Sequence, residues 1–420
     1  MAKIIIIIAL ILGIYGWRDQ VVWGFDQSRD AFEAANIWQN HDLKLLGPSS
    51  DIPGVNHGPL WYYFLAPVYF VFNGNPNPVS LIFLLALFLS AVPDWFLAQK
   101  LFNKKIISFL TVSLYLLSPL FQSYTRWMSN PMLSLIISPV ILLLLWSYFA
   151  KSSLKIAVLT GLFFGLLIQS DVAFGLFLFV LPIYYWLFKQ KLIFKHTLGF
   201  IFGFLAAVST FILAEIKFGG RMTIGLLDFI FKGNSAPISA SGAVRQLFDR
   251  IIDFLSFTIL PFPKLLIVIF LIFCVLKTKS VNKTALFLLI WLSNIIIFQL
   301  FATGVSGSGF VFAPSLAALV ILAAFVLSKY KWLVIIIFAA QIGLNLKWIN
   351  SNYSPVSVQH GVTLTSEERI IDYTYTQSNN EPFIIVTLTN PLYINTNWAY
   401  LYEFYGQKKY GYLPFWAGKS

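Results

Sequence analysis

The sequence predicts a helical protein that crosses a membrane many times, and three observations carry the prediction. The chain of 420 residues is 58% hydrophobic and only 11% charged, whereas soluble domains are about a quarter charged. Its mean hydropathy is +0.77. Several apolar runs approach or exceed the roughly 20 residues that a helix needs to span a bilayer. A membrane β-barrel is excluded, because its strands would alternate apolar and polar residues in short segments. The single cysteine, Cys274, lies within an apolar run, which leaves neither a disulfide framework nor a thiolate metal site.

Taken in order, the runs 4–17, 79–101, 106–122, 131–150, 156–169, 172–188, 197–214, 263–276, 284–302, 310–328 and 332–346 give eleven candidate spans. Segment 59–72 is short, aromatic and broken by Pro67, and it reads as a helix lying on the membrane. Charge sets the orientation. With Lys3 inside, the inner connections carry Lys100, Lys104, Lys105, Lys151, Lys155, Lys189, Lys191, Lys195, Lys277, Lys279, Lys283, Lys329 and Lys331, and no acid. This satisfies the positive-inside rule. If 59–72 spanned, every one of those connections would face the wrong way. The expected topology is a plasma-membrane protein with the N-terminus cytoplasmic and the C-terminus outside. The first run reads as an uncleaved signal anchor, since no small-x-small cleavage site follows it.

Three outer pieces follow from that topology. The loop 18–78 comes first. The segment 215–262 comes second, with amphipathic stretches at 225–231 and 245–255 that suit the membrane surface. The polar tail 347–420 comes third and reads as a small α/β appendage on a transmembrane domain spanning 1–346. In the tail, SEERIIDYTYTQ predicts a helix capped by Ser366, PFIIVTL a strand, and NWAYLYEFYG a helix ended by Gly406.

The first loop concentrates the chemistry. Between Phe25 and Pro67 it holds Asp26, Asp30, Glu33, Asp42 and Asp51, five of the seventeen acids, and two of the four histidines. Asp26 and Asp30 share one face of a helix starting near Phe25, with Asp26 at its N-terminus. Phe32, Ala35, Ile37 and Trp38 give that helix a membrane-facing side. The bland alternative makes Asp26 a cap and Asp30 a solvated charge. His57 follows a turn-rich run that directs the loop back toward Asp26, as a ligand or proton carrier or simply a surface residue. Arg126, between Tyr124 and Trp127, suits a lipid phosphate or an interfacial anchor. Gln169 and Asp171 lie at an outer turn, where a carboxylate is costly unless paired or functional. Asp94, inside a span, reads as structural, paired with a helix-end lysine or with backbone. The turn 303–309 is Gly/Ser-rich but lacks phosphate-loop spacing. There is no Walker motif, dinucleotide fingerprint, HExxH or nucleophile elbow. The net charge of +12 reflects topology rather than nucleic-acid binding.

Several of these pieces together resemble the GT-C fold glycosyltransferases, in particular bacterial members of the protein O-mannosyltransferase and aminoarabinose-transferase superfamily. The resemblance rests on Asp26-Gln27-Ser28-Arg29 opening the first loop, and on His57-Gly58-Pro59-Leu60-Trp61-Tyr62-Tyr63 closing it. Ser118-Pro119, Tyr124 and Arg126 add to it, as does Phe312-Ala313-Pro314. It implies transfer of a sugar from a polyprenyl-phosphate donor to a glycan, lipid or protein acceptor on the outer membrane face. It also implies that Asp26 is the catalytic carboxylate and general base, with Asp30 beside it. Arg126 is then the first candidate for the leaving phosphate, with Arg221 and Arg245 behind it. His57, Asn130, Gln169, Asp171 and Tyr62 join as substrate-binding candidates. Gln27 stands where the family usually has Glu, and Asn130 where many relatives carry an acid. Fewer carboxylates weaken the case for a bound divalent metal without removing it. A lipid-linked glycan transporter, a polysaccharide polymerase or ligase, and a non-catalytic scaffold remain the competing readings.

Overall fold

The computed structural model describes residues 2–232, 239–269, 282–301, 309–351, 362–379, 381–387 and 395–416. Cys274, the turn 303–308 and most of the run 263–276 lie outside the described residues.

The expected runs form helices, several of them broken where proline removes a backbone donor. Pro93 follows the break at Ser90 between Pro76–Leu89 and Ala91–Phe102. Pro119 starts the piece Pro119–Tyr124 after Lys105–Leu117. Phe194–Ala207 and Ser209–Lys217 meet at a bend of 60°. Four helices are long and apolar enough to cross a membrane, Pro76–Phe102, Met132–Ala150, Lys283–Leu300 and Lys331–Ser351, or five with the bent pair. Lys3–Ile14, Lys105–Leu117, Leu154–Ser170, Val172–Phe188 and Val311–Leu327 are shorter apolar helices.

The helices of the bundle bury a continuous apolar core around Lys105–Leu117, Met132–Ala150 and Leu316–Leu327. The tightest approach joins Leu154–Ser170 to Phe194–Ala207. A Cβ on Gly161 would sit 2.0 Å from the Phe200 carbonyl oxygen, and one on Gly203 2.1 Å from that of Val158. Each helix carries a Gly-x-x-x-Gly pair, Gly161/Gly165 and Gly199/Gly203, which lets the two backbones touch. Asp94 departs from expectation. It is fully buried, and neither oxygen accepts a hydrogen bond among the described residues. Lys100, the helix-end lysine nearest in sequence, instead donates to Ser147 Oγ at 3.1 Å.

The tail also departs in detail. Its first helix runs Leu364–Gln377 and is capped by Thr363, with Ser366 completing a reciprocal capping pair rather than acting as the cap. The strand shrinks to Ile384–Ile385, paired in parallel with Phe415–Trp416. The last helix does not end at Gly406. It passes through a wider turn at Tyr402–Gly406 into Gln407–Tyr410 and stops at Gly411, which has φ 87°.

The tail folds back onto the first loop. Leu364 N–H donates to Val21 O at 2.8 Å, and Asn77 Nδ2 donates to Glu368 Oε1 at 2.9 Å. Tyr400 donates to Gly74 O at 2.7 Å and packs edge-on against Phe32. Phe32 and Ala35, expected to face lipid, are therefore on the side of their helix that the tail covers.

Candidate active site

Helix Phe25–Asn40 begins where Gly24 is extended. Gln27 Oε1 accepts the Gly24 N–H at 3.1 Å, while Gln27 Nε2 reaches Met128 O at 2.9 Å. Gln27 thus fixes the start of the helix and ties it to the turn after Tyr124. Helix Leu60–Val71 packs alongside, and the two enclose the charged cluster.

That cluster is a chain of polar contacts running outward. Trp61 Nε1 donates to Asp30 Oδ2 at 2.7 Å. Asp30 Oδ1 accepts Arg29 Nε at 2.9 Å and Nη2 at 2.7 Å. Arg29 Nη1 then donates to Asp26 Oδ1 at 2.7 Å. Burial changes along the chain: the side chain of Asp30 is 3% exposed, that of Arg29 20% and that of Asp26 60%. Asp26 is thus an accessible carboxylate on a buried support. Burial pushes the Asp30 carboxyl up to about 6, against the opposing pull of Arg29. Burial works against the Arg29 charge, but Asp30 and Asp26 outweigh it and hold the guanidinium above its ordinary value. Tyr62 is buried beside them, and its phenol is pushed up by burial and then by Asp30. Arg29 carries no role in the sequence reading beyond its place in the opening motif. Its signal is its position, adjacent to Asp30 and one helical turn from Asp26.

A second cluster forms around His57. The loop docks on the turn after Leu154–Ser170, with Gly58 N–H donating to Gln169 O at 2.9 Å. His57 Nδ1 lies 3.5 Å from Asp171 Oδ1 and accepts the Val172 N–H at 3.3 Å. Asn130 Nδ2 donates to Ser170 O at 2.7 Å. Gln169 Nε2 donates to Ala207 O at 2.9 Å and Thr210 Oγ1 at 2.6 Å. Asp171 caps the next turn through the Ala173 N–H at 2.9 Å. Its carboxyl is raised by burial, against the pull of His57. Four predicted residues therefore meet: His57 and Asp171 join the loop to the bundle, while the Asn130 and Gln169 side chains tie parts of the bundle to one another.

Arg126 is directed elsewhere than to a lipid phosphate. Its five N–H donors reach Gln20 Oε1, Gln122 O, Thr125 Oγ1, Leu12 O and Tyr15 O, at 2.7–3.2 Å. A guanidinium has five donors, so none is left over. The residue closes the C-terminal end of the first helix, where carbonyls lack partners. Burial without a carboxylate lowers it to about 10. Arg245 is 88% exposed and lies 3.9 Å from Asp249 on the same helix. Arg221 is exposed, at the start of Arg221–Lys232, and its side chain lies against Gly54 of the first loop. Among the described residues no three of His, Cys, Asp and Glu gather as a metal-holding group.

Comparison with known proteins adds the fold. No protein-family model matches the sequence, and no curated protein does. Solved structures match over most of the chain, and two of them are of one protein. ArnT from Cupriavidus metallidurans in the apo state superposes with a TM-score of 0.62 at 13% identity, over 98% of this chain and 89% of that one. The same protein bound to undecaprenyl phosphate superposes with a TM-score of 0.60 at 15% identity, over 88% of this chain and 68% of that one. The fold of this chain is accordingly that of ArnT, the GT-C fold.

Proposed function

We propose that this chain is a membrane glycosyltransferase that moves a sugar from a polyprenyl-phosphate donor to an acceptor hydroxyl or amine on the extracytoplasmic face. The observation that carries the reading is the exposed carboxylate of Asp26, held by Arg29 and the buried Asp30, on an ArnT-like fold. The solved ArnT complex with undecaprenyl phosphate supports the donor class.

In this mechanism the acceptor attacks the anomeric carbon as it loses a proton to Asp26. The bond from that carbon to the phosphate oxygen breaks, and the phosphate leaves with the electron pair. A general base must lie within hydrogen-bond reach of the proton it takes, which suits the exposed end of the chain of contacts. One displacement with one base inverts the anomeric centre. Asp30 and Trp61 position Arg29, and Arg29 positions Asp26. Ionised, two carboxylates against one guanidinium leave this cluster anionic, so it suits a base rather than a phosphate site. The leaving phosphate needs a cation free to face it, because such electrostatic stabilisation is often the largest contribution. Arg221 meets that need better than Arg126, whose donors are all engaged. The tail covers the first loop, which makes it the piece proposed to bear on acceptor choice.

The test is transfer from a panel of radiolabelled polyprenyl-phosphate sugars in proteoliposomes, wild type against Asp26→Asn. Transfer by the wild type and its loss in a variant with wild-type melting supports enzyme and base together. Unchanged transfer in Asp26→Asn removes the base from Asp26, and no transfer by the wild type with any donor removes the enzyme reading.

A further inference from the structure

At the far end of the bundle, four helices enclose a cavity of about 160 Å³. Met132–Ala150, Leu154–Ser170, Val180–Phe188 and Phe194–Ala207 supply its lining, close to the connections that join them. The helix Leu154–Ser170 measures its separation from the first loop. Ser170 meets Asn130 beside the His57 loop, whereas Ala157 lines the cavity. At 1.5 Å per residue the two ends are about 20 Å apart.

The walls are apolar, formed by Leu145, Phe149, Ala157, Leu181 and Phe200. Leu192 also lines the cavity and is 71% exposed, so the mouth reaches the surface. Five polar side chains share the lining, Thr160 and Thr197 among them. Tyr185 donates to Tyr148 Oη at 3.3 Å, and Tyr148 Oη lies 3.5 Å from His196 Nδ1. The close contact of the Gly161 and Gly203 helices holds one wall in place. The connections 151–153 and 189–193 and the first residues of the helices after them carry Lys151, Lys155, Lys189, Lys191 and Lys195, with Lys191 and Lys195 adjacent in the chain to the lining residues Leu192 and His196. All five are exposed, and among the described residues none forms an ion pair. The only acid between Lys151 and Lys195 is Asp171, at the opposite end of the helix.

We propose that this is a binding site for one anionic phospholipid, with an acyl chain in the cavity and the phosphate on the lysines of the two connections. The combination selects the occupant. A soluble anion would satisfy the lysines and leave the apolar walls bare. An uncharged apolar molecule would fill the walls and leave five like charges unneutralised. A zwitterionic lipid brings its own cation to a rim that already has five. A cavity of about 150 Å³ accommodates a benzene-sized group, so this one accepts about six carbons of a chain. Basic pockets between membrane helices are a recognised setting for anionic head groups. The site lies about 20 Å from Asp26's end of the bundle, and the inference does not rest on sugar transfer.

The test uses the full chain, stripped of lipid in detergent, and counts bound lipid by native mass spectrometry. Phosphatidylglycerol is expected to bind one per chain and at least ten-fold more tightly than phosphatidylcholine of the same chain length. Replacing Lys151, Lys191 and Lys195, all exposed, together by Gln is expected to bring phosphatidylglycerol down to the phosphatidylcholine level, with the melting temperature measured alongside as the check on folding. Ala157→Phe narrows the cavity and is expected to weaken both lipids while keeping their order. Equal binding of the two lipids by the wild type overturns the proposal, as does an unchanged preference in the triple variant. Undecaprenyl phosphate that displaces phosphatidylglycerol from the wild type at a far lower concentration than phosphatidylglycerol itself requires assigns the cavity to the polyprenyl lipid and overturns it too.

Discussion

Replacing Asp30 by Asn separates the two carboxylates of the first-loop helix by what each does. Asp30 is buried and accepts three N–H groups, two from Arg29 and one from Trp61. Hydrogen bonds to charged groups contribute about 1.5–3 kcal/mol each, and breaking a buried pair by removing one partner costs about 3–5 kcal/mol. Asn keeps one acceptor oxygen, and its amide N–H must face either Arg29 or Trp61, donor against donor. Arg29 retains Asp26, so the loss falls at the lower end, about 3 kcal/mol. Transfer is expected to fall by about 10²-fold, the effect of misplacing a catalytic group by an ångström. Asp26→Asn should behave in the opposite way. Its side chain is 60% exposed, so stability should change by no more than about 0.5 kcal/mol while transfer is lost. Tryptophan-fluorescence melts in detergent and transfer in proteoliposomes check both. A pH profile adds an independent readout. The Asp30 value of about 6 lies above the ordinary carboxylate value. Its contribution to stability is therefore present in acid and lost as pH rises through 6. Transfer needs the ionised form that holds Arg29, so it should rise with pH through about 6, and Asp30→Asn should lack that limb. Wild-type melting and wild-type transfer in Asp30→Asn would refute the positioning argument, as would an equal loss of stability in Asp26→Asn.

Gly58→Ala places a methyl 1.7 Å from Gln169 Oε1 and 2.9 Å from Gln169 Cα. Overpacking of about 1–3 kcal/mol and a hydrogen bond of about 1 kcal/mol predict a melting point several degrees lower and reduced transfer, read in the same two assays. Arg126→Lys leaves three donors where five are used, and thermal melts should show a loss of about 3 kcal/mol, in line with an uncompensated buried polar network; a neutral outcome would return Arg126 to the surface. Burial raises Glu367, in the tail, to about 8. Its stability contribution is present in acid and lost as pH rises through about 8. Melts from pH 5 to 9 should show that loss in the wild type and a flatter curve in Glu367→Gln.

The membrane class and the helical runs are legible in the sequence because they are local properties. Apolar composition over 20 residues and a lysine bias in short connections depend on nothing distant. Asp26 and Asp30 on one helix are legible too, since spacing of four residues and a Gly-preceded start define the face. The Gly161/Gly165 and Gly199/Gly203 pairs were equally local signals for the closest helix contact, and a search for small-residue spacing would have found them. What the sequence alone left open was which polar groups meet. Asp26 and Asp30 are equivalent as letters, yet 60% and 3% exposure make one reachable and the other a support. Arg126 and Arg29 are equivalent cations as letters. Only the packing of Leu12, Tyr15 and Gln20 around the first uses up its donors. Phe32 and Ala35 are apolar on any reading, and only the return of the tail decides that protein rather than lipid covers that side. Local pattern reports how a segment would bury its apolar face. Burial, hydrogen-bond partners and charge balance are sums over residues distant in the chain, and the tertiary structure alone brings those residues together.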